Sequence, residues 1–262
     1  MHTETSFLDY IHDIRFRIIR ICIVLLTIAG CCMILGLKYY DFNDIQFPIL
    51  YFNPLNNISA HIITLMKETL FPENVSLIQT NPGQVFFTQV QVSIMLGIIF
   101  SIPLIIKEAV GFVNPGLYQT EKGMIRRIIL MTTGLFVAGA VFSYFVVVPV
   151  TLDFLYRYGQ LVGASTFFNI SEFVPFVMQI LIAIGVSFEF PLIMSLVTRL
   201  EIVNVSFWRN KLRYVIIILV IVGAIITPDA SGITMGLVTG PMILLYVLSM
   251  LILERRSRTH VI

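Results

Sequence analysis

Residues 180–197 read ILIAIGVSFEFPLIMSLV, a run whose single formal charge is Glu189, with Pro191 two positions later. A helix of about 20 apolar residues crosses roughly 30 Å of hydrocarbon, so this stretch fits a membrane span. A carboxylate inside a span is costly unless it meets protein, water or a partner. Pro191 has no N–H to donate, which predicts a bend and leaves the carbonyl of Ser187 without its helical donor. Glu189 falls about nine residues, or about 14 Å, from the inner end expected for its block. Two readings stay open here: a polar contact point or water-lined groove, and a protonated, hydrogen-bonded packing residue.

Working outward, the whole chain shares this character. Of its 262 residues 57% are hydrophobic and 12% charged, and mean hydropathy is +0.91; soluble domains carry about one quarter charged residues. Apolar blocks at 16–37, 85–106, 128–148, 174–197, 214–226 and 233–253 predict an all-α, polytopic membrane protein with six transmembrane helices. The fifth block alone is about 20 Å long, so its crossing is expected over 207–227, or the bilayer thins around it.

Six crossings put both termini on one side, and the basic residues choose the side. Arg15, Arg17 and Arg20, then Lys107, Lys122, Arg126 and Arg127, then Arg199, Arg209, Lys211 and Arg213, and finally Arg255, Arg256 and Arg258 share one face. Lys38, Lys67 and Arg157 are left for the other. The positive-inside bias makes the first face cytoplasmic, with the N and C termini there, in the cell membrane. Glu4, Asp9 and Asp13 stand where a cleavable signal would be basic, so the first helix is expected to be retained. Residues 1–15 place Phe7, Leu8, Ile11 and Ile14 at helical spacing, as in a lead-in lying in the interface.

The loops carry further expectations. In the external loop 38–84, Pro48, Pro54, Pro72 and Pro82 separate extended pieces around a helix at 56–70 with Ile58, Ile62, Leu65 and Met66 on its apolar side. In loop 151–173, Ser171 is expected to cap the fourth span. Gly236 and Gly240 form a single GxxxG, a candidate close-approach surface.

Several function classes are excluded by what the chain lacks. Its net charge of +2 gives no field for nucleic acid. Cys22, Cys31 and Cys32 lie inside the first block without a CxxC unit and read as small hydrophobes. The four histidines are scattered, so no metal site is expected. No GxSxG or Gly-rich phosphate loop occurs, and Ser187 has no base nearby; neither an enzyme nor a cofactor is implied.

The cytoplasmic loop 107–127, KEAVGFVNPGLYQTEKGMIRR, turns at Asn114-Pro115-Gly116. Exposed glutamates are usually solvating surface. Here Glu121, Glu108 and Asp13 form an acidic set on one face beside Phe112, Leu117 and Tyr118. That combination suits a peptide carrying arginine and an apolar segment, because carboxylate–guanidinium contact is bidentate and directional.

These stretches also carry a resemblance. YIHDIRFR at 10–17, FVNPGLYQTEK at 112–122, FVAGAVFSYFVVVP at 136–149 and GVSFEFP at 185–191 together resemble the TatC family, over nearly the whole chain. The resemblance implies one membrane domain over 1–262 with its six helices in a cup-like bundle. It implies a core component of the twin-arginine translocase that binds Arg-Arg signal peptides and supports export of folded proteins. Its partners would be those signal peptides, small single-spanning TatA/TatB-like subunits and lipid, in a homo- or hetero-oligomer. Carried over by position, signal-peptide binding falls on Glu121 and Phe112, with Glu108, Asp13, Leu117 and Lys122 in support. The N-terminal motif falls on Arg15 and Arg17, and the intramembrane polar site on Glu189. Lys122 stands where Arg is usual, and Lys107-Glu108 where Tyr-Gln is common. The alternative is a proton-coupled small-solute transporter centred on Glu189.

Overall fold

The computed structural model describes residues 7–42, 45–70, 77–113, 122–161, 167–199, 202–227 and 232–259. The chain divides into two compact units, Met1–Thr69 with Asn81–Thr133, and Leu70–Thr80 with Gly134–Ile262.

In the first unit, α1 (Phe7–Ile34) runs unbroken from the lead-in through the first apolar block. The chain then enters a hairpin of β1 (Leu35–Phe42) and β2 (Ile45–Phe52), with Leu35 opposite Phe52 and Phe42 opposite Ile45. The first block therefore ends three residues earlier than expected. Gly36 shows why the strand fits here: a Cβ on it would collide with the carbonyl oxygen of Asn56, so backbone passes where a side chain could not.

Helix α2 (Ile58–Leu70) begins at a buried asparagine. Asn57 Oδ1 accepts from the N–H of Ala60 at 2.8 Å, capping the helix, while Nδ2 donates to the carbonyls of Met33 and Pro54 and to Gln89 Oε1 at 3.0, 3.1 and 3.2 Å. One side chain thus joins the end of α1, the start of α2 and the next helix, α3 (Gln84–Val113). Ser59 and Ser93 add a buried hydroxyl pair at 2.6 Å. That pairing turns α2: its buried residues are Ser59, Ile63 and Met66, whereas Leu65, expected on the inner face, is exposed. Helix α3 packs along α1. Gly97 permits this approach, because a Cβ there would lie 2.8 Å from the carbonyl oxygen of Leu25 and 3.4 Å from Ala29 Cβ.

Helix α4 (Lys122–Phe142) passes from the first unit into the second at Gly134. It continues through a π turn, Ser143–Val147, where the N–H of Val148 donates to Ser143 O, into α5 (Val148–Leu161). Pro149 cannot donate to the carbonyl four residues back, and the wider turn absorbs that loss without ending the helix. The third block therefore reaches Leu161 and not 148, and residues 151–161, expected as loop, are helical. Asp153 and Arg157 face each other there at 2.8 Å on an exposed surface.

Two residues of β3 (Leu77–Ile78) pair in parallel with β4 (Phe168–Asn169). Asn169, and not Ser171, caps α6 (Ile170–Ser187): its Oδ1 accepts from the N–H of Ser171 at 3.1 Å. The extended backbone of Asn169, at φ −74 and ψ 127, points its side chain at that donor. After the turn Phe188–Glu189 come α7 (Phe190–Arg199), α8 (Val205–Asn210), α9 (Leu212–Ile226) and α10 (Gly232–Thr259). Trp208 Nε1 donates to Thr198 Oγ1 at 2.9 Å and Tyr246 Oη donates to Trp208 O at 3.0 Å, seating α8 on a core of Met194, Tyr246, Met250 and Leu253. Lys211 separates α8 from α9, so the fifth apolar helix starts at Leu212 and not near Phe207.

Glycine contacts in this unit also differ from the expected pair. Gly236 and Gly240 have open space beside them. Gly223 of α9 instead lies against Thr239 and Met235 of α10. A Cβ on Gly185 would sit 2.6 Å from the Phe136 ring, and one on Gly139 2.8 Å from the Phe188 ring, so two phenylalanines insert into glycine gaps in opposite senses. Phe136 is fully buried, so a methyl group at position 185 has nowhere to displace that ring.

Among the described residues five helical stretches are long and apolar enough to cross a membrane: His12–Ile34, Gln84–Ala109, Arg126–Leu161, Ile170–Thr198 and Gly232–Arg255. Leu212–Ile226 is apolar but shorter, about 22 Å.

Candidate functional site

In the first unit Arg17 of the N-terminal motif meets the end of α3. Arg17 lies one turn after Asp13 on α1, and its Nε donates to Asp13 Oδ2 at 2.8 Å. Its Nη1 donates to Glu108 Oε2 at 3.0 Å and to the backbone oxygen of Glu108 at 3.1 Å, and its Nη2 reaches Gly111 O at 3.5 Å. Arg20, three residues on, donates from Nη1 to Glu108 Oε1 at 2.6 Å. The Glu108 side chain is 5% exposed, so a carboxylate taken out of water is matched by two guanidinium groups. Gly111 is among the last four residues of α3, whose carbonyls lack intrahelical donors and carry the helix's negative dipole end; Arg17 supplies a donor and positive charge there.

This geometry changes the reading of the acidic set. Glu108 is not an open carboxylate on the cytoplasmic loop, because both its oxygens are bonded to guanidinium groups of α1. Asp13 is half exposed and bonded to Arg17. Arg15 is exposed on α1. Phe112 is 39% exposed, four residues beyond Glu108 and so one turn on along the same face of α3. Leu117 and Glu121 lie outside the described residues, and Lys122 is the first residue of α4. In the sequence Arg20 reads only as one of the positive charges of the N-terminal segment. Its spacing of three from Arg17 was the available signal, since such residues share a helix face.

In the second unit, Glu189 sits in the break between α6 and α7. Its N–H donates to Val186 O at 3.0 Å, and its carbonyl accepts from the N–H groups of Leu192 and Ile193 at 3.1 and 2.9 Å, so it ends one helix and opens the next. Pro191 stands in the first turn of α7, where a missing N–H costs nothing. The side chain is another matter. Glu189 is 6% exposed. Among the described residues, both its oxygens lack a hydrogen-bond partner, as do the buried hydroxyls of Ser143 and Ser101. The backbone of Phe136 lies close to the carboxylate. Ser143 opens the π turn, the local irregularity of this unit, and its neighbour Phe142 packs against Phe188 with centroids 5.7 Å apart. Buried polar atoms without partners are rare and mark places where something other than packing is served.

Long apolar helices define a multi-spanning membrane protein, and two polar features stand out in it: a guanidinium–carboxylate cluster at the end of α3 and an unpaired acid in the break between α6 and α7. Comparison with known proteins narrows this. The family model for TatC, the Sec-independent protein translocase protein, matches residues 9–241. A TatC of Cenarchaeum symbiosum (strain A) is 40% identical over 98% of this chain and 97% of the relative. One of Aquifex aeolicus (strain VF5) is 28% identical over 95% of each. A crystal structure described as the twin-arginine translocase receptor TatC superimposes with a TM-score of 0.77 at 26% identity, covering 95% of this chain and 99% of the other. The chain belongs to the TatC family, a family of protein translocase components. These comparisons lend nothing to the small-solute transporter alternative.

Proposed function

We propose that this chain receives twin-arginine signal peptides at its cytoplasmic face and, with small single-spanning TatA/TatB-like subunits, supports export of folded proteins across the cell membrane. It crosses six times, with Leu212–Ile226 as a short fifth span that thins the bilayer locally, and both termini are cytoplasmic. The observation that carries this reading is the match, over 95% of the chain, to a structure described as the twin-arginine translocase receptor.

The division of labour follows from the chemistry. Glu121 pairs with leader guanidinium groups; Phe112 and Leu117 pack the apolar residues beside them, and Lys122 adjoins the acid. The Arg17–Glu108 cluster belongs to the framework of the same face. Glu189 is a transient polar contact for the passing segment or a partner helix, which accounts for a buried acid with no partner of its own. No bond is made or broken, so the chain is not an enzyme.

The test is binding of a fluorescent leader peptide to the purified chain in lipid nanodiscs. An Arg-Arg leader is expected to bind at least about tenfold more tightly than its Lys-Lys counterpart, since a bidentate planar contact is worth more than a point charge. Equal affinity for the two would remove guanidinium recognition from the account.

A further inference from the structure

We propose that Glu108 is a positioning residue for leader recognition, acting through Phe112; this rests on the preceding reading, in which Phe112 packs the leader's apolar flank. Three observations lead there. First, Glu108 cannot itself receive a leader arginine as the chain stands: Arg17 occupies Oε2 at 3.0 Å, Arg20 occupies Oε1 at 2.6 Å, and the side chain is 5% exposed. Second, Arg17 holds the backbone as well as the side chain of this turn, through the carbonyls of Glu108 and Gly111. Third, Phe112 follows Gly111 directly, is exposed, and lies near the end of α3 at Val113.

A helix terminus frays when its last carbonyls are unpaired, and glycine beside the end adds backbone freedom. Here the end of α3 is tied to α1 through Arg17, which Asp13 orients from the turn before it, and through Arg20. A ring held in place before its ligand arrives loses less freedom on binding, so the tie raises affinity without touching the ligand. Glu108 is the keystone because its two oxygens engage both arginines: removing it takes from Arg20 its bond to α3 and from Arg17 one of the two carboxylates it holds.

The experiment uses the full chain in nanodiscs, comparing wild type, Glu108→Ala, Phe112→Ala and the double variant for leader binding. Glu108→Ala is expected to weaken the Arg-Arg leader about tenfold, the order set by loosening a supporting shell, and the Lys-Lys leader by the same factor. In the Phe112→Ala background, Glu108→Ala should add less than about twofold, because residues acting through one contact are not additive. A drop in Arg-over-Lys preference on Glu108→Ala overturns the proposal, since it means that Glu108 touches the guanidinium. Losses that multiply in the double variant overturn it too, since they mean general destabilisation. Glu108→Gln, which keeps one acceptor and the same length, is expected to lose less than Glu108→Ala and serves if the alanine variant fails to fold.

A nitroxide attached through Phe112→Cys, with Cys22, Cys31 and Cys32 replaced by serine, gives a reading that needs no leader. Its spectrum is expected to shift towards faster motion when Glu108→Ala is added. Unchanged motion overturns the proposal. If the wild-type chain binds no Arg-Arg leader, the functional reading falls, and the label at position 112 still decides this one.

Discussion

Glu121→Ala is expected to lower affinity for an Arg-Arg leader by about 30- to 150-fold while leaving the fold intact. Removing one partner of a charge-assisted, partly desolvated contact costs about 2–3 kcal/mol, and each 1.4 kcal/mol is about tenfold in Kd. The effect is this large because the loop sequence FVNPGLYQTEK offers one carboxylate between its turn and α4, and Glu108, the next acid upstream, is already bonded to Arg17 and Arg20. Glu121→Gln keeps the shape and an acceptor but not the charge, and should fall between alanine and wild type; the Lys-Lys leader, weak from the start, should lose less. Fluorescence anisotropy with the two leaders measures all of this. A change below about twofold would make Glu121 solvating surface and no more.

Glu189→Leu should make the protein more stable and less able to export. Each buried polar group without a partner costs about 1–3 kcal/mol, and both oxygens of Glu189 are of this kind. A leucine of similar size removes that cost. For a chain of this length the unfolding midpoint should rise by about 2–4 °C for each kcal/mol recovered. Export should nonetheless fall by about tenfold or more, the change that about 1.4 kcal/mol of lost interaction produces. Stability rising as function falls is the signature of a residue kept for something other than packing. Thermal unfolding in detergent and export of a folded reporter in cells measure the two sides. Wild-type export from the leucine variant would reduce Glu189 to a tolerated defect.

What the sequence disclosed and what it hid divides along physical lines. Runs of apolar residues report directly on lipid, which is why long helices stand where 85–106 and 233–253 are expected and the pair α6 and α7 where 174–197 is, each extending beyond its apolar block. Glu189 and Pro191 announced the break at Phe188–Glu189 because a proline acts on its own backbone. Features that depend on distant residues were hidden. Arg17 and Glu108 are 91 positions apart, and nothing in either neighbourhood names the other. The gaps at Gly139 and Gly185 are single glycines filled by Phe188 and Phe136, while the visible GxxxG at Gly236 and Gly240 stands open. Local competition misled in two places. Asn169 and Ser171 are both good caps, and backbone geometry chose the first. The third apolar block stops at 148, just before Pro149, yet the π turn carries the helix past it. The loop residues Leu117 and Glu121 lie outside the described residues, so their roles rest on chemistry and resemblance.

Everything in the recognition scheme requires the end of α3 to face the cytoplasm, where leaders are first encountered. The direct measurement is labelling of a Phe112→Cys variant, free of other cysteines, by a membrane-impermeant maleimide. Inside-out vesicles are expected to label strongly, and intact cells with their outer surface exposed are expected to stay unlabelled until permeabilised. Labelling of intact cells, with inside-out vesicles protected, would put Phe112 on the wrong side of the membrane and contradict the account.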